Sequence, residues 1–156
     1  MSHIVIISNR YDDLCYVNFS IRYLCIDLTP FAVGGPYQVD FVYYWPNLNS
    51  PDYLGGLATI GPSVEYPSAY YGYFSVNLRL RKMIITYLTT LGWSYGDFNG
   101  FVVTSLTNGA YLPQPAYFIS SPIDTSLMTL TSTATTISLN WRGLSFNQGD
   151  VIVIGW

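Results

Sequence analysis

The chain is 156 residues long, half of them apolar, with only 10% charged side chains and a net charge of −3 at neutral pH. That length suits one domain, spanning residues 1–156, with a core that needs no disulfides, and the apolar content excludes a disordered chain. The charge falls well below the roughly 25% of an ordinary soluble domain, so such a surface is expected to meet partners, and the acidic balance offers no cationic arm for nucleic acid.

The N-terminal stretch "MSHIVIISNRYDD" holds an apolar run of only four residues, without a basic start or a small-residue cleavage site. It reads as a strand rather than a signal peptide, and no stretch of the chain is long and apolar enough to span a bilayer. His3 is the sole histidine, so nucleophilic catalysis, which wants a base beside Ser or Cys, has one candidate and no fixed partner for it. His3, Cys15 and Cys25 supply at most three zinc ligands with no paired motif. The adjacent Asp12 and Asp13 read as a solvated turn rather than a calcium site. In "CYVNFSIRYLCI" the two cysteines share parity with Val17, Phe19, Ile21 and Tyr23. A continuous strand would hold them about 33 Å apart, too far for a disulfide.

"YQVDFVYYW" is the next strand, and "WPNLNSPDYLGG" and "IGPSVEYPS" read as punctuation. "SVNLRLRKMIITYLTTLGW" is the exception, predicting one helix over about 76–91: Val76, Leu80, Ile84, Tyr87, Leu88 and Leu91 fall at helical spacing, Ser75 caps the start, and Gly92 follows the end. On that helix Arg79 and Lys82 share a side with Arg81 off it, the one basic cluster and the candidate contact for phosphate or another anion. Around it, "EYPSAYYGYFS" and "GWSYGDFNG" set Tyr66, Tyr70, Tyr71, Tyr73, Trp93 and Tyr95 in turn-like surroundings. Such rings pack cores and interfaces. On loops, with Asp97 or Asn99 beside them, they also stack on sugars, which makes a glycan the alternative partner. A glycosidase would need a facing carboxylate pair; Glu65 with Asp52, Asp97 or Asp124 is available, but no spacing selects one. The glycine-rich "GGP" and "LGG" lack the lysine of a phosphate loop. An enzyme is not expected, and neither is a cofactor or a metal.

"FVVTSL", "AYFISS", "LMTLTS", "TISLNW" and "DVIVIGW" complete about eight short strands. The expected fold is all-β, a jelly roll or related β-sandwich with the one helix in a connection. The last strand is apolar on both faces. Alternation assigns Val151 and Val153 to the interior, and leaves Ile152, Ile154 and Trp156 to pack under the helix or against another subunit.

"LSFNQGDVIVIGW", with its polar "GD" turn before a closing strand, resembles the end of jelly-roll proteins such as tumour-necrosis-factor-like domains and several viral capsid proteins, a likeness that covers Ile137 to Trp156. The composition, rich in Tyr, Ile, Thr, Asn and Ser and poor in Glu and His, is similar to that of structural proteins of viruses infecting hyperthermophilic archaea. The resemblance implies a self-assembling capsid or virion-surface subunit whose partners are its own copies and other virion proteins, assembled in the host cytoplasm. It also implies a last strand lying beside the first.

Overall fold

A computed structural model describes the backbone of residues 5–8, 14–18 and 22–26 and the whole of residues 37–79, 81–107 and 115–156. The chain forms two compact units, Met1–Pro36 and Tyr37–Trp156, so the sandwich occupies the second unit rather than the whole of 1–156. His3, Asp12 and Asp13 lie outside the described residues.

In the first unit β1 (Val5–Ser8), β2 (Leu14–Asn18) and β3 (Arg22–Ile26) form an antiparallel sheet in that order. The continuous strand expected from Cys15 to Cys25 is therefore broken, and the two cysteines are direct cross-strand partners. Opposed residues of an antiparallel ladder have Cα atoms about 4.5–5.5 Å apart, within disulfide range. The separation that excluded a 15–25 bridge does not exist.

The second unit contains β4 (Gln38–Tyr44), β5 (Pro51–Thr59), β6 (Tyr66–Ser68), β7 (Phe74–Arg79), β8 (Lys82–Tyr87) and β9 (Leu91–Gly92). These are followed by β10 (Gly100–Ser105), β11 (Tyr117–Ser120), β12 (Thr129–Ser132), β13 (Thr136–Asn140), β14 (Ser145–Phe146) and β15 (Val151–Gly155). One antiparallel sheet has the order β12-β13-β10-β4-β5 and the other β11-β15-β8-β7-β6, while β9 pairs with β14. Within this unit β15 runs between β8 and β11, and β4, the first strand of the unit, belongs to the opposite sheet.

Strict alternation builds the core. Val39, Phe41 and Tyr43 on β4, Phe101 and Val103 on β10, and Ile137 and Leu139 on β13 are fully buried. Facing them are Phe74, Val76 and Leu78 on β7, Met83, Ile85 and Tyr87 on β8, and Ile152 and Ile154 on β15. The Phe74 ring meets those of Phe41 at 6.2 Å and Phe101 at 6.3 Å, which joins the two sheets through their inner faces. Tyr66 Oη on β6 donates to the Gly56 carbonyl on β5 at 2.9 Å, and the Ala116 amide donates to Ser132 Oγ of β12 at 2.9 Å, so each lateral margin is tied between sheets.

Two expectations change. The described residues of 76–91 form no helix: β7 and β8 make a hairpin in which Phe74 faces Tyr87 and Arg79 faces Lys82. A spacing of four is common to a 3.6-residue helix and a period-2 strand, so Val76, Leu80 and Ile84 could not separate the two. The decisive pattern was Phe74, Val76, Leu78 alternating with Ser75, Asn77, Arg79, together with the β-branched Ile84, Ile85 and Thr86. Arg81 turns the corner at φ 124°. Among the described residues the nearest approach to an α-helix is the four-residue turn Ala69–Gly72, in which Tyr70 and Tyr71 have non-helical backbone angles.

The second change is at "PDYLGG", read as turn but forming part of the nine-residue β5. Its glycines mark a bulge. Gly56 (φ 76°) opposes Phe41 where the register shifts, and a Cβ on Gly55 would stand 2.7 Å from Phe41 Cδ1, so the pair makes room for that ring.

Candidate functional site

At one end of the sandwich the aromatic core runs out to the surface. Tyr43 stacks on Tyr70 at 3.9 Å and on Trp93 at 5.3 Å, and Trp93 stacks on Trp141 at 5.4 Å. Polar atoms are matched throughout this cluster. Trp141 Nε1 donates to Tyr43 Oη at 2.9 Å, Tyr43 Oη donates to Asn99 Oδ1 at 2.5 Å, and Asn99 Nδ2 donates to the Ser94 carbonyl at 2.7 Å. Trp93 Nε1 donates to Tyr87 Oη at 3.2 Å. Burial pushes the Tyr43 and Tyr87 hydroxyls above their ordinary range, against the opposing pull of the tryptophan N–H groups, so both remain protonated.

The outer end of this stack opens into a cleft of about 460 Å³, lined by Trp45, Asp52, Tyr70, Tyr73, Trp93 and Asn99 with Thr89–Ser94 between them. Tyr70 Oη donates to Asp52 Oδ2. Burial raises the Tyr70 pKa, and that hydrogen bond and the Asp52 charge raise it further. The backbone beneath is strained: Tyr70 (φ 43°), Tyr71 (φ 57°) and Gly72 (φ 85°) are three successive left-handed residues, two carrying aromatic side chains. Such strain persists only where the surroundings hold it, and it concentrates at binding sites. Here the holding contacts are the Tyr43 ring and the Asp52 carboxylate.

Of the aromatic residues expected at a partner site, Tyr70, Tyr73 and Trp93 meet in the cleft, joined by Asn99. Tyr66 is instead a core residue, Tyr71 is exposed, and Tyr95 lies over Gly143 outside the cleft. Trp45 and Asp52 were missed as cleft residues. They come from the β4–β5 connection and the start of β5, and only sheet pairing brings them to the 70s and 90s; the one hint was a Trp–Pro pair in turn-like sequence. Arg79, Arg81 and Lys82 gather at the tip of the β7–β8 hairpin, where Arg79 Nη1 donates to the Gly61 carbonyl at 2.9 Å. Ile152 and Ile154 are not interface residues: they are wholly buried in the core, while Val151, on the other face, is 38% exposed. Trp156 is half-buried against the core cluster, and its amide donates to the Arg81 carbonyl at 3.2 Å.

Of the carboxylates considered for glycosidase chemistry, Asp52, Asp124 and Glu65 have separate tasks. Asp124 Oδ1 accepts the Ser126 amide at 2.9 Å, and that backbone hydrogen bond holds its carboxyl below the usual range. Glu65, the sole glutamate, accepts the Gly61 amide at 2.9 Å and the Leu78 amide at 2.6 Å, one on each oxygen. β6 pairs with β7 only at Tyr66 and Val76, so the Leu78 amide lies beyond its reach and Glu65 takes the place of a strand. Glu65→Ala should lower the unfolding free energy by about 2 kcal/mol, since two part-buried donors lose their acceptor. Urea titration measures this, and an unchanged midpoint would mean that the clamp carries no weight.

The outer face of the β12–β5 sheet shows a second feature. Leu54, Val42 and Val102 are successive cross-strand partners on β5, β4 and β10, an apolar row that ends at the sheet edge. Leu54 is 71% exposed and Leu57, on the same strand, 68%. The β11 edge of the other sheet exposes Tyr117 and Ile119. No helix among the described residues is long and apolar enough to cross a membrane. No family model matches the chain, and comparison with curated proteins and with solved structures finds no match.

Proposed function

We propose that this chain is a self-assembling structural subunit, of the capsid or virion-surface kind, whose copies meet through the outer face and edge of β5. The observation that carries the reading is the apolar row Leu54–Val42–Val102 running to an open edge strand on which Leu54 and Leu57 stand in water. Edge strands of proteins that remain single are guarded by charge, brevity or cover. β5 is nine residues long, carries Asp52 as its only charge, and has a Leu-Gly-Gly-Leu centre. The 10% charge of the whole chain supports the same reading, because little electrostatic repulsion opposes association. The likeness of composition and of the closing "GD" strand to virion proteins supplies the class of assembly.

Sedimentation velocity over a concentration series tests it. The protein should sediment as oligomers or larger particles, and Leu54→Lys/Leu57→Lys should sediment as a monomer with an unchanged melting temperature. The proposal fails if the unaltered protein stays monomeric at high concentration, or if the folded double variant assembles as well as the parent.

A further inference from the structure

We propose that the cleft at Asp52, Tyr70, Tyr73 and Trp93 binds one neutral pyranose unit of a glycan. This is independent of assembly through β5, since Leu54 and Leu57 do not line the cleft. Its volume of about 460 Å³ lies within the roughly 300–1,000 Å³ of small-molecule sites. The lining decides the chemistry. Trp45, Tyr70 and Tyr73 supply ring surface, and a π face carries negative charge that attracts the polarised C–H face of a sugar. Trp93, only 7% exposed and stacked on Tyr43 and Trp141, forms the floor of the cleft, with its N–H engaged inward with Tyr87. Thr89, Thr90 and Ser94 also line it, the Thr90 hydroxyl accepting the Gln148 amide at 3.0 Å, together with the Asp52 carboxylate. Asp52 Oδ2 receives the Tyr70 hydroxyl, leaving Oδ1 to accept from a ligand hydroxyl. Among the described residues no lysine, arginine or histidine lines the cleft, so none of them neutralises a phosphate, a sulfate or an acidic sugar there. A quaternary ammonium would also use rings and a carboxylate, but it has no use for the row of hydroxyls. The left-handed Tyr70 and Tyr71, pinned by the Tyr43 ring and Asp52, hold the binding geometry before a ligand arrives.

The test is saturation-transfer NMR on the full chain with methyl α-glucopyranoside, methyl β-galactopyranoside and methyl α-mannopyranoside. Tetramethylammonium chloride and sodium sulfate serve as comparison ligands. At least one glycoside should receive saturation on its ring C–H protons. Tyr73→Ser and, separately, Asp52→Asn should weaken it about fivefold or more, the loss of roughly one good contact. Asp52→Asn keeps an acceptor for the Tyr70 hydroxyl, so a loss there reports the charge at the site rather than the fold. The Leu54→Lys/Leu57→Lys protein should bind the glycoside like its parent, which separates this result from the fate of the assembly proposal. Three findings would overturn the inference: no transfer to any of the three sugars, sugar binding that neither variant weakens, or retention of tetramethylammonium or sulfate with the sugars ignored.

Discussion

Gly100→Ala is expected to remove about 3–5 kcal/mol from the unfolding free energy, at the upper end of single substitutions. A Cβ built on Gly100 would stand 1.9 Å from the Leu139 carbonyl oxygen, 2.9 Å from its carbon and 3.0 Å from Asn140 Cα. All three obstacles are backbone, so no rotamer change relieves them. Relief requires β10 to part from β13 at the pairs Gly100–Asn140 and Phe101–Leu139. Both strands are internal to their sheet, and β10 is also held by β4, so the displacement has nowhere to dissipate. The same corner carries the Trp141 amide on the Asn99 carbonyl at 3.0 Å and the Asn99 amide on Asn140 Oδ1 at 3.0 Å, bonds that separation would lengthen. Calorimetry should record a melting temperature lower by about 10 °C or more. A shift of a degree or two would show that the strands do not approach so closely.

Ile154→Lys should abolish folding, and Val151→Lys should be close to neutral. Ile154 is wholly buried between the sheets, and an ammonium group there finds no carboxylate among the core residues; an unpaired buried charge exceeds what a domain of this size can absorb. Val151 is 38% exposed on the opposite face and follows Asp150 in sequence. A lysine there reaches water, and the change should stay within about 0.5 kcal/mol. Near-ultraviolet circular dichroism and a urea midpoint on both variants decide the matter. A folded Ile154→Lys beside an unfolded Val151→Lys would reverse the assignment of faces.

That pair also shows where sequence reading reached its limit. Alternation correctly divides the closing strand into Val151/Val153 and Ile152/Ile154. With both sets apolar, it contains nothing about which set is inward, because that depends on the face that β8 and β11 turn to the other sheet. The hairpin at 74–87 was obscured by a spacing of four shared by two periodicities, and β5 by glycines that serve as a bulge within a strand. The all-β class was legible from short β-branched and aromatic runs, which are local signals. The cleft was legible in part. Tyr70, Tyr73 and Trp93 declared themselves as rings among turn residues, whereas Trp45 and Asp52 join them only through the pairing of β4 with β5 and the stacking of sheets, contacts no local pattern contains.

The two exposed apolar sets bear on the symmetry that the proposed assembly would have. The tie from Tyr66 to Gly56 puts the β5 edge on one flank of the sandwich, and the tie from Ala116 to Ser132 puts the β11 edge, with Tyr117 55% and Ile119 53% exposed, on the other. A single self-complementary patch closes into a twofold dimer and stops there. Unlike patches on opposite flanks join head to tail, and the rotation between successive copies then decides between a closed ring and an open helical array. If copies meet as proposed, an apolar surface distributed in this way would propagate contacts rather than pair off.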